Sequence, residues 1–267
     1  MEQDQTTSAS DRENEKVEIT NPAKRLHVII EPILRMADGA QSLQVWATAF
    51  GMDQDAAQQD PHDVVSHIRK LRDEVALLRR QMAETSFTSD LYEPALDGLV
   101  SAMSVTNLTS PWGNFKRFIL PEHMLALRWC SQAVESEVGL SHAELQRLLD
   151  AIAEFRTSVE DDDLPEAVRA FVLHQLDLMI KGIHEYPIRG RQSIRDAVKE
   201  ASIDVLHDHE DVATAAPANL REKLAGFWKT GLGVAEGGEK MIKLATGVAD
   251  AVPKLVNAVH TAMTALT

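Results

Sequence analysis

The chain has 267 residues, of which 44% are hydrophobic and only 5% aromatic, and its formal net charge is −14. This length suffices for one domain with appendages or for two small domains with aliphatic cores. The negative charge argues against nucleic-acid binding, because phosphate recognition requires a basic surface. Cys130 is the only cysteine, so no intrachain disulfide can form, and we expect a cytoplasmic protein.

The first twenty residues are polar and acidic, and they lack the apolar segment of a signal peptide. We expect a disordered leader over 1–20. Asn21-Pro22 then predicts the start of a helix, because asparagine caps helices and proline is favoured at the first helical position. A helical body is predicted over 21–206, a linker over 207–218 and an amphipathic tail over 219–267.

The segment 60–84 has the most regular apolar pattern of the chain. We call its six apolar residues the heptad seam: Val64, Ile68, Leu71, Val75, Leu78 and Met82. Their alternating spacing of four and three residues predicts a coiled-coil interface, in which Glu74 is placed to reach Arg79 of a partner helix. So short a coiled coil is rarely stable alone, so the alternative is a helix packed along the body of its own chain.

Residues 120–206 form a central block with four successive helical patterns. The first is predicted to end at Gly139, and Ser141 with Glu144 then forms a capping box for the second. Pro187 is predicted to stop the third helix. Short connections favour antiparallel neighbours around one core. The fold predicted is all-α: an antiparallel helical bundle with a short heptad-patterned helix and a C-terminal amphipathic helical hairpin.

The first helix of the central block carries an apolar face with further apolar residues beside it. Leu127 and Cys130 belong to that face, so we expect Cys130 to be a small buried hydrophobe. Leu125 and Trp129 lie next to this face in the helical projection, and the sequence pattern indicates no separate role for them.

A loop over 106–118 carries aromatic side chains. Trp112 and Phe115 are its candidates for a contact site. Apolar rings on a loop either close over a core or mark a surface that binds a partner. The sequence leaves both interpretations open.

In the predicted tail, six cations outnumber four carboxylates. Gly237-Gly238 separates two helical patterns and predicts a hairpin. The apolar side chains of the second pattern fall within a sector of about 120°, with small residues along one border. The residues that would form a membrane or assembly surface are Phe227, Trp228, Val248, Val252, Leu255, Val259 and Met263.

Three roles for the tail are open. It can dock on the body, it can join copies of the chain, or it can lie on a membrane surface, since its lysines suit anionic lipid. In the last case the protein would attach peripherally to the inner membrane face. We expect no membrane-spanning helix here, because the longest charge-free run, 255–267, is too short to cross a bilayer.

The adjacent pair His207-Asp208 resembles the His-Asp pair of HD-type metal phosphohydrolases, which are also all-helical. The resemblance implies that both residues would bind a divalent metal that activates water, with His174 or His184 upstream and Asp250 downstream. However, the segment after the pair is typical of a linker. The alternative is an exposed helix end, where a histidine suits the negative end of the helix dipole. We therefore assign no catalytic residue, metal or cofactor.

These observations favour a non-enzymatic helical protein that self-associates or binds a protein partner. The alternatives are a membrane-docking protein that acts through its tail and a metal-dependent phosphohydrolase.

Overall fold

The structure, a computed structural model, describes residues 18–161, 163–207, 217–218, 220, 222–226 and 229. Within these residues the protein is all-α apart from two three-residue strands, which form a two-stranded sheet. The elements are β1 Glu18–Thr20, α1 Pro22–Ile33, α2 Ser42–Ala49, α3 Gln54–Gln59, α4 His62–Ala83, a 3-10 helix Ser89–Leu91, α5 Glu93–Ala102, α6 Gly113–Lys116, α7 Pro121–Ala133, β2 Glu137–Gly139, α8 His142–Asp161, α9 Glu166–Arg189 and α10 Arg191–His207.

The chain divides into two compact units. Among the described residues, the first unit contains Ile19–Glu137 and Glu185–Gly190, and the second contains Glu18, Val138–His184 and those from Arg191 onward. The four predicted helices of the central block are present as α7 to α10, but they are divided between the two units. Helix α7 belongs to the first unit, where it packs against α1 and α5.

The core of the first unit is built around α1 and α4. Helix α4 packs against α1, α2 and α5, and its heptad seam supplies six side chains that are at most 2% exposed. The seam therefore packs inside its own chain, which is the second of the two alternatives that its spacing allows. The helix is held on one side by α1, whose Leu26 and Ile30 are fully buried.

Helix α1 begins where the sequence predicts. The Asn21 side chain accepts a hydrogen bond of 2.9 Å from the Lys24 N–H, with Pro22 at the first helical position. The Asn21 amide also donates to the carbonyl of Ser131, at 2.8 Å. Residues 18–20, at the end of the predicted leader, form β1, and the rest of the leader lies outside the described residues.

Two helix ends differ from their predicted positions. Helix α7 ends at Ala133 rather than at Gly139, because Val134 is extended and residues 137–139 form β2 instead. Pro187 does not stop α9, which continues to Arg189. A proline so near a helix end removes one hydrogen bond, and the buried Ile188 holds the last turn against the core.

In the second unit the predicted capping box is confirmed. The Ser141 N–H donates to Glu144 Oε2 at 2.7 Å, and the Glu144 N–H donates to Ser141 Oγ at 3.3 Å. Helix α8 buries Ile152 and Phe155. The Lys223 ammonium, near the start of the predicted tail, lies 5.4 Å from the centre of the Phe155 ring.

Candidate functional site

Helix α7 is apolar on two sides, and only one of them faces the core. Leu127 is fully buried and Cys130 is 3% exposed, whereas Leu125 and Trp129 are 50% and 59% exposed. The exposed side forms an open depression of about 370 Å³. We call its lining the α7 surface: Leu125, Arg128, Trp129, Ser131 and Gln132.

The geometry of an α-helix explains this arrangement. Leu125 and Trp129 are four residues apart and therefore share a face. At about 100° per residue, that face points roughly 150° away from the direction of Leu127 and Cys130. Because α1 and α5 pack against the opposite side, α7 contributes Leu127 and Cys130, with the partly buried Met124 and Ala133, to the core of the first unit.

The charge on the α7 surface comes from Arg128. Its side chain is exposed, and no carboxylate of the described residues pairs with it. In the same unit, by contrast, Arg79 pairs with Glu93 and with Asp97. The Arg128 carbonyl accepts a hydrogen bond of 2.7 Å from the Ser131 hydroxyl.

The α7 surface thus combines two large apolar side chains with one cation. Apolar area of this kind gains about 25 cal/mol for each Å² that a partner covers. A guanidinium can add charge-assisted hydrogen bonds to a carboxylate. Its five residues thus offer apolar contacts, one positive charge and hydrogen-bonding groups, which are the contacts found in binding surfaces.

A buried ionic cluster lies elsewhere in the first unit. Arg25 Nη2 is 2.8 Å from Glu74 Oε2, and Arg25 Nη1 pairs with Glu137. Glu74 is only 3% exposed, and its burial raises the pKa of its carboxyl despite the neighbouring Arg25. Gly190 packs against the same arginine. Glu74 therefore pairs inside its own chain, and reaching Arg79 of a second copy would require it to leave this pair.

A second ionic group fixes the end of α9 within the first unit. Lys70 Nζ lies 2.7 Å from Glu185 Oε1, and Arg189 Nη1 lies 3.5 Å from Glu185 Oε2. Every carboxylate of the two groups is paired with a cation of the same unit, which is typical of a structural network. We interpret both groups as parts of the fold.

The two aromatic residues of the predicted loop contact differ in burial. Trp112 is fully buried, its indole N–H donates to the Ile33 carbonyl at 3.0 Å, and its ring meets Trp46 edge-on at 5.7 Å. Trp112 therefore closes over the core, one of the two roles its position allows. Phe115 is half-buried and packs against the same core.

All seven residues of the predicted tail surface lie outside the described residues. This applies to Phe227, Trp228, Val248, Val252, Leu255, Val259 and Met263. In the part of the tail that is described, Leu220 and Leu224 are 5% and 7% exposed. None of the described helices is both long and apolar enough to span a bilayer.

The predicted metal pair is also outside what the structure describes, since Asp208 and the side chain of His207 are not included. His174, a predicted upstream ligand, has Nε2 3.6 Å from Asp204 Oδ2. The described ranges contain no group of three or more histidine, cysteine or acidic side chains that could hold a metal ion. His207 and Asp208 stay candidates that only their resemblance to the His-Asp pair suggests.

Sequence reasoning did not identify the α7 surface. The available signal was the pair Leu125 and Trp129, which repeats every four residues on the side away from Leu127. Comparisons with protein-family models, with curated proteins and with solved structures show no match.

Proposed function

We propose that this chain is a non-enzymatic helical protein that contacts a protein partner, or a second copy of itself, through the α7 surface. The observation that supports the proposal is the exposure of Leu125 and Trp129 on one face of a helix whose other face is in the core. Contiguous exposed apolar side chains on a folded unit are typical of interaction sites.

The residue types support the same proposal. Tryptophan and arginine are the residues that most often dominate the energy of protein interfaces, and Arg128 directly precedes Trp129. Leaving Trp129 in water gives the fold little stabilisation, whereas covering it removes a large apolar area from solvent.

The heptad seam and the predicted tail are not part of the proposed α7 contact. The heptad seam is internal, so a coiled-coil dimer through it would require α4 to leave its core. The antiparallel order of the helices, the C-terminal hairpin and membrane docking by the tail stay predictions. The buried Leu220 and Leu224 support the docked interpretation for the start of the tail only.

Photo-cross-linking tests the proposal. A benzoylphenylalanine residue would replace Gln132, which borders the depression, and a matched variant would carry it at Gln58, an exposed glutamine of α3. We expect irradiation in cells to give a discrete adduct from position 132 and none from position 58. The adduct should disappear when Trp129→Ala is added.

Mass spectrometry of the adduct separates its sources. Peptides of this chain alone would mean a second copy, and peptides of another chain would mean a separate partner. Equal cross-linking from positions 132 and 58, or an adduct that survives Trp129→Ala, would contradict the proposal.

A further inference from the structure

The α7 surface also indicates the chemistry of its partner, an inference that rests on the proposed function. We propose that the partner contributes an amphipathic helix, which places apolar side chains against Leu125 and Trp129 and a carboxylate against Arg128.

The shape of the surface favours a helix. Leu125 and Trp129 form a ridge along one helix face, and the depression beside it is bordered by Arg128 and Gln132. Ridges of this spacing are complementary to the grooves of another helix. An apolar side chain of the partner would fill the depression, and neighbours one turn away would cover the indole ring.

The charge favours a carboxylate. Arg128 borders the depression, and none of the described carboxylates neutralises it. An arginine that loses water when an interface forms requires a hydrogen-bonding partner, and a carboxylate matches its planar fork with two parallel bonds. The Gln132 amide, exposed on the same border, can accept or donate a further hydrogen bond.

The same observations disfavour an anionic membrane. Binding to an anionic lipid surface relies on several lysines and arginines, each of which contributes about 1 kcal/mol. Arg128 is the single cation among the five residues of the α7 surface. A depression with a polar border fits one side chain better than a layer of lipid.

The test uses a displayed library of helical peptides of about 16 residues and the full chain as the target. Peptides that also bind Trp129→Ala are removed, and the affinity of the remaining ones is measured by fluorescence polarisation. We expect the selected peptides to share an apolar pair four residues apart with a neighbouring aspartate or glutamate. Arg128→Glu should weaken their binding about ten- to a hundred-fold, the effect of losing a charge-assisted hydrogen bond.

A charge exchange makes the test specific. Peptides whose acid is changed to lysine should bind Arg128→Glu better than they bind the unaltered chain. Arg69→Glu changes the net charge equally at an exposed position of α4 and should leave affinity within about two-fold. Far-ultraviolet circular dichroism of each variant establishes that it is folded.

Each remaining outcome contradicts the inference in a different way. Peptides that require Trp129 but tolerate Arg128→Glu would overturn the acidic partner and leave the proposed function standing. A selection that yields no peptide dependent on Trp129 would overturn the helical partner, and cross-linking from position 132 would then decide the proposed function. Sedimentation with phosphatidylserine vesicles that requires both Arg128 and Trp129 would assign the α7 surface to a membrane instead.

Discussion

Trp129 and Cys130 are neighbours in the chain, yet 59% of one side chain is exposed to solvent and only 3% of the other. A helix turns about 100° per residue, which is enough to carry successive side chains from one environment to the other. One helix therefore contributes to the core of the first unit and also presents the α7 surface.

The two apolar sides of α7 should respond differently to truncation. Leu127→Ala leaves a cavity in the core and should lower the free energy of unfolding by about 2–5 kcal/mol. Leu125→Ala, on the exposed side, should change it by less than about 0.5 kcal/mol. Urea unfolding followed by circular dichroism measures both values, and equal losses would mean that Leu125 is part of the core.

The Cys130 thiol should be unreactive in the folded protein. Its burial raises the pKa of the thiol to about 11, so almost none of it is the nucleophilic thiolate at neutral pH. We expect alkylation by iodoacetamide at pH 7.5 to be at least about a hundred-fold slower than in urea-unfolded chain. Mass spectrometry follows the reaction, and similar rates in the two states would contradict the burial of Cys130.

Gly190 should resist substitution. Its φ is +55°, and an added Cβ would lie 2.5 Å from Arg25 Nη1 and 2.6 Å from Glu137 Oε1. Gly190→Ala should therefore cost about 1–2 kcal/mol for the left-handed backbone, with a further loss from displacing the ion pair.

Gly39→Ala is the matched control for this substitution, because a Cβ there meets nothing within 4 Å. Chemical denaturation of the two variants should show little change for Gly39→Ala. Equal stability of both variants would mean that the end of α9 does not hold Arg25 in the described position.

The free energy of unfolding should depend on pH through Glu74. Because the pKa of its carboxyl is raised in the folded chain, the native state keeps this proton to a higher pH than the unfolded state does. The stability from Glu74 is fully present below the unfolded pKa and is lost as pH rises through the folded one. The unfolding free energy of the unaltered chain, minus that of Glu74→Gln, should therefore fall as pH rises from the unfolded to the folded pKa of Glu74.

Urea titrations at successive pH values measure this difference. Arg25, Glu137 and Arg189 also act on the Glu74 carboxyl, so they are kept unchanged. Asp73→Asn makes the same charge change at an exposed position of α4 and serves as the control. A difference that rises with pH for Glu74→Gln would contradict the dominance of burial over the ion pair.

Local signals in the sequence predicted the helices well. The Asn21 cap, the Ser141–Glu144 capping box and the helical heptad seam each depend on residues within a few positions of one another, and all three are present. The position of α7 depends instead on α1 and α5, which lie far away in sequence. No local sequence pattern predicted that Leu125 and Trp129 would remain outside the core.

This dependence on residues far away in sequence also explains why the ends of α7 and α9 were predicted at the wrong positions. Pro187 is a strong local stop signal, but burial of Ile188 in the first unit keeps the last turn of α9 helical. The α7 end at Ala133 is followed by β2, whose pairing with β1 joins residues more than a hundred positions apart. Such pairings require the whole fold and cannot be obtained from a short window of sequence.

The most direct test of the central claim is the yield of the photo-cross-linked adduct from position 132, measured with and without Trp129→Ala, together with the unfolding free energy of the Trp129→Ala variant. We predict that the adduct is lost while the unfolding free energy changes by less than about 0.5 kcal/mol. An adduct of undiminished yield, with stability reduced by about 2 kcal/mol or more, would show that Trp129 serves the fold and not a partner.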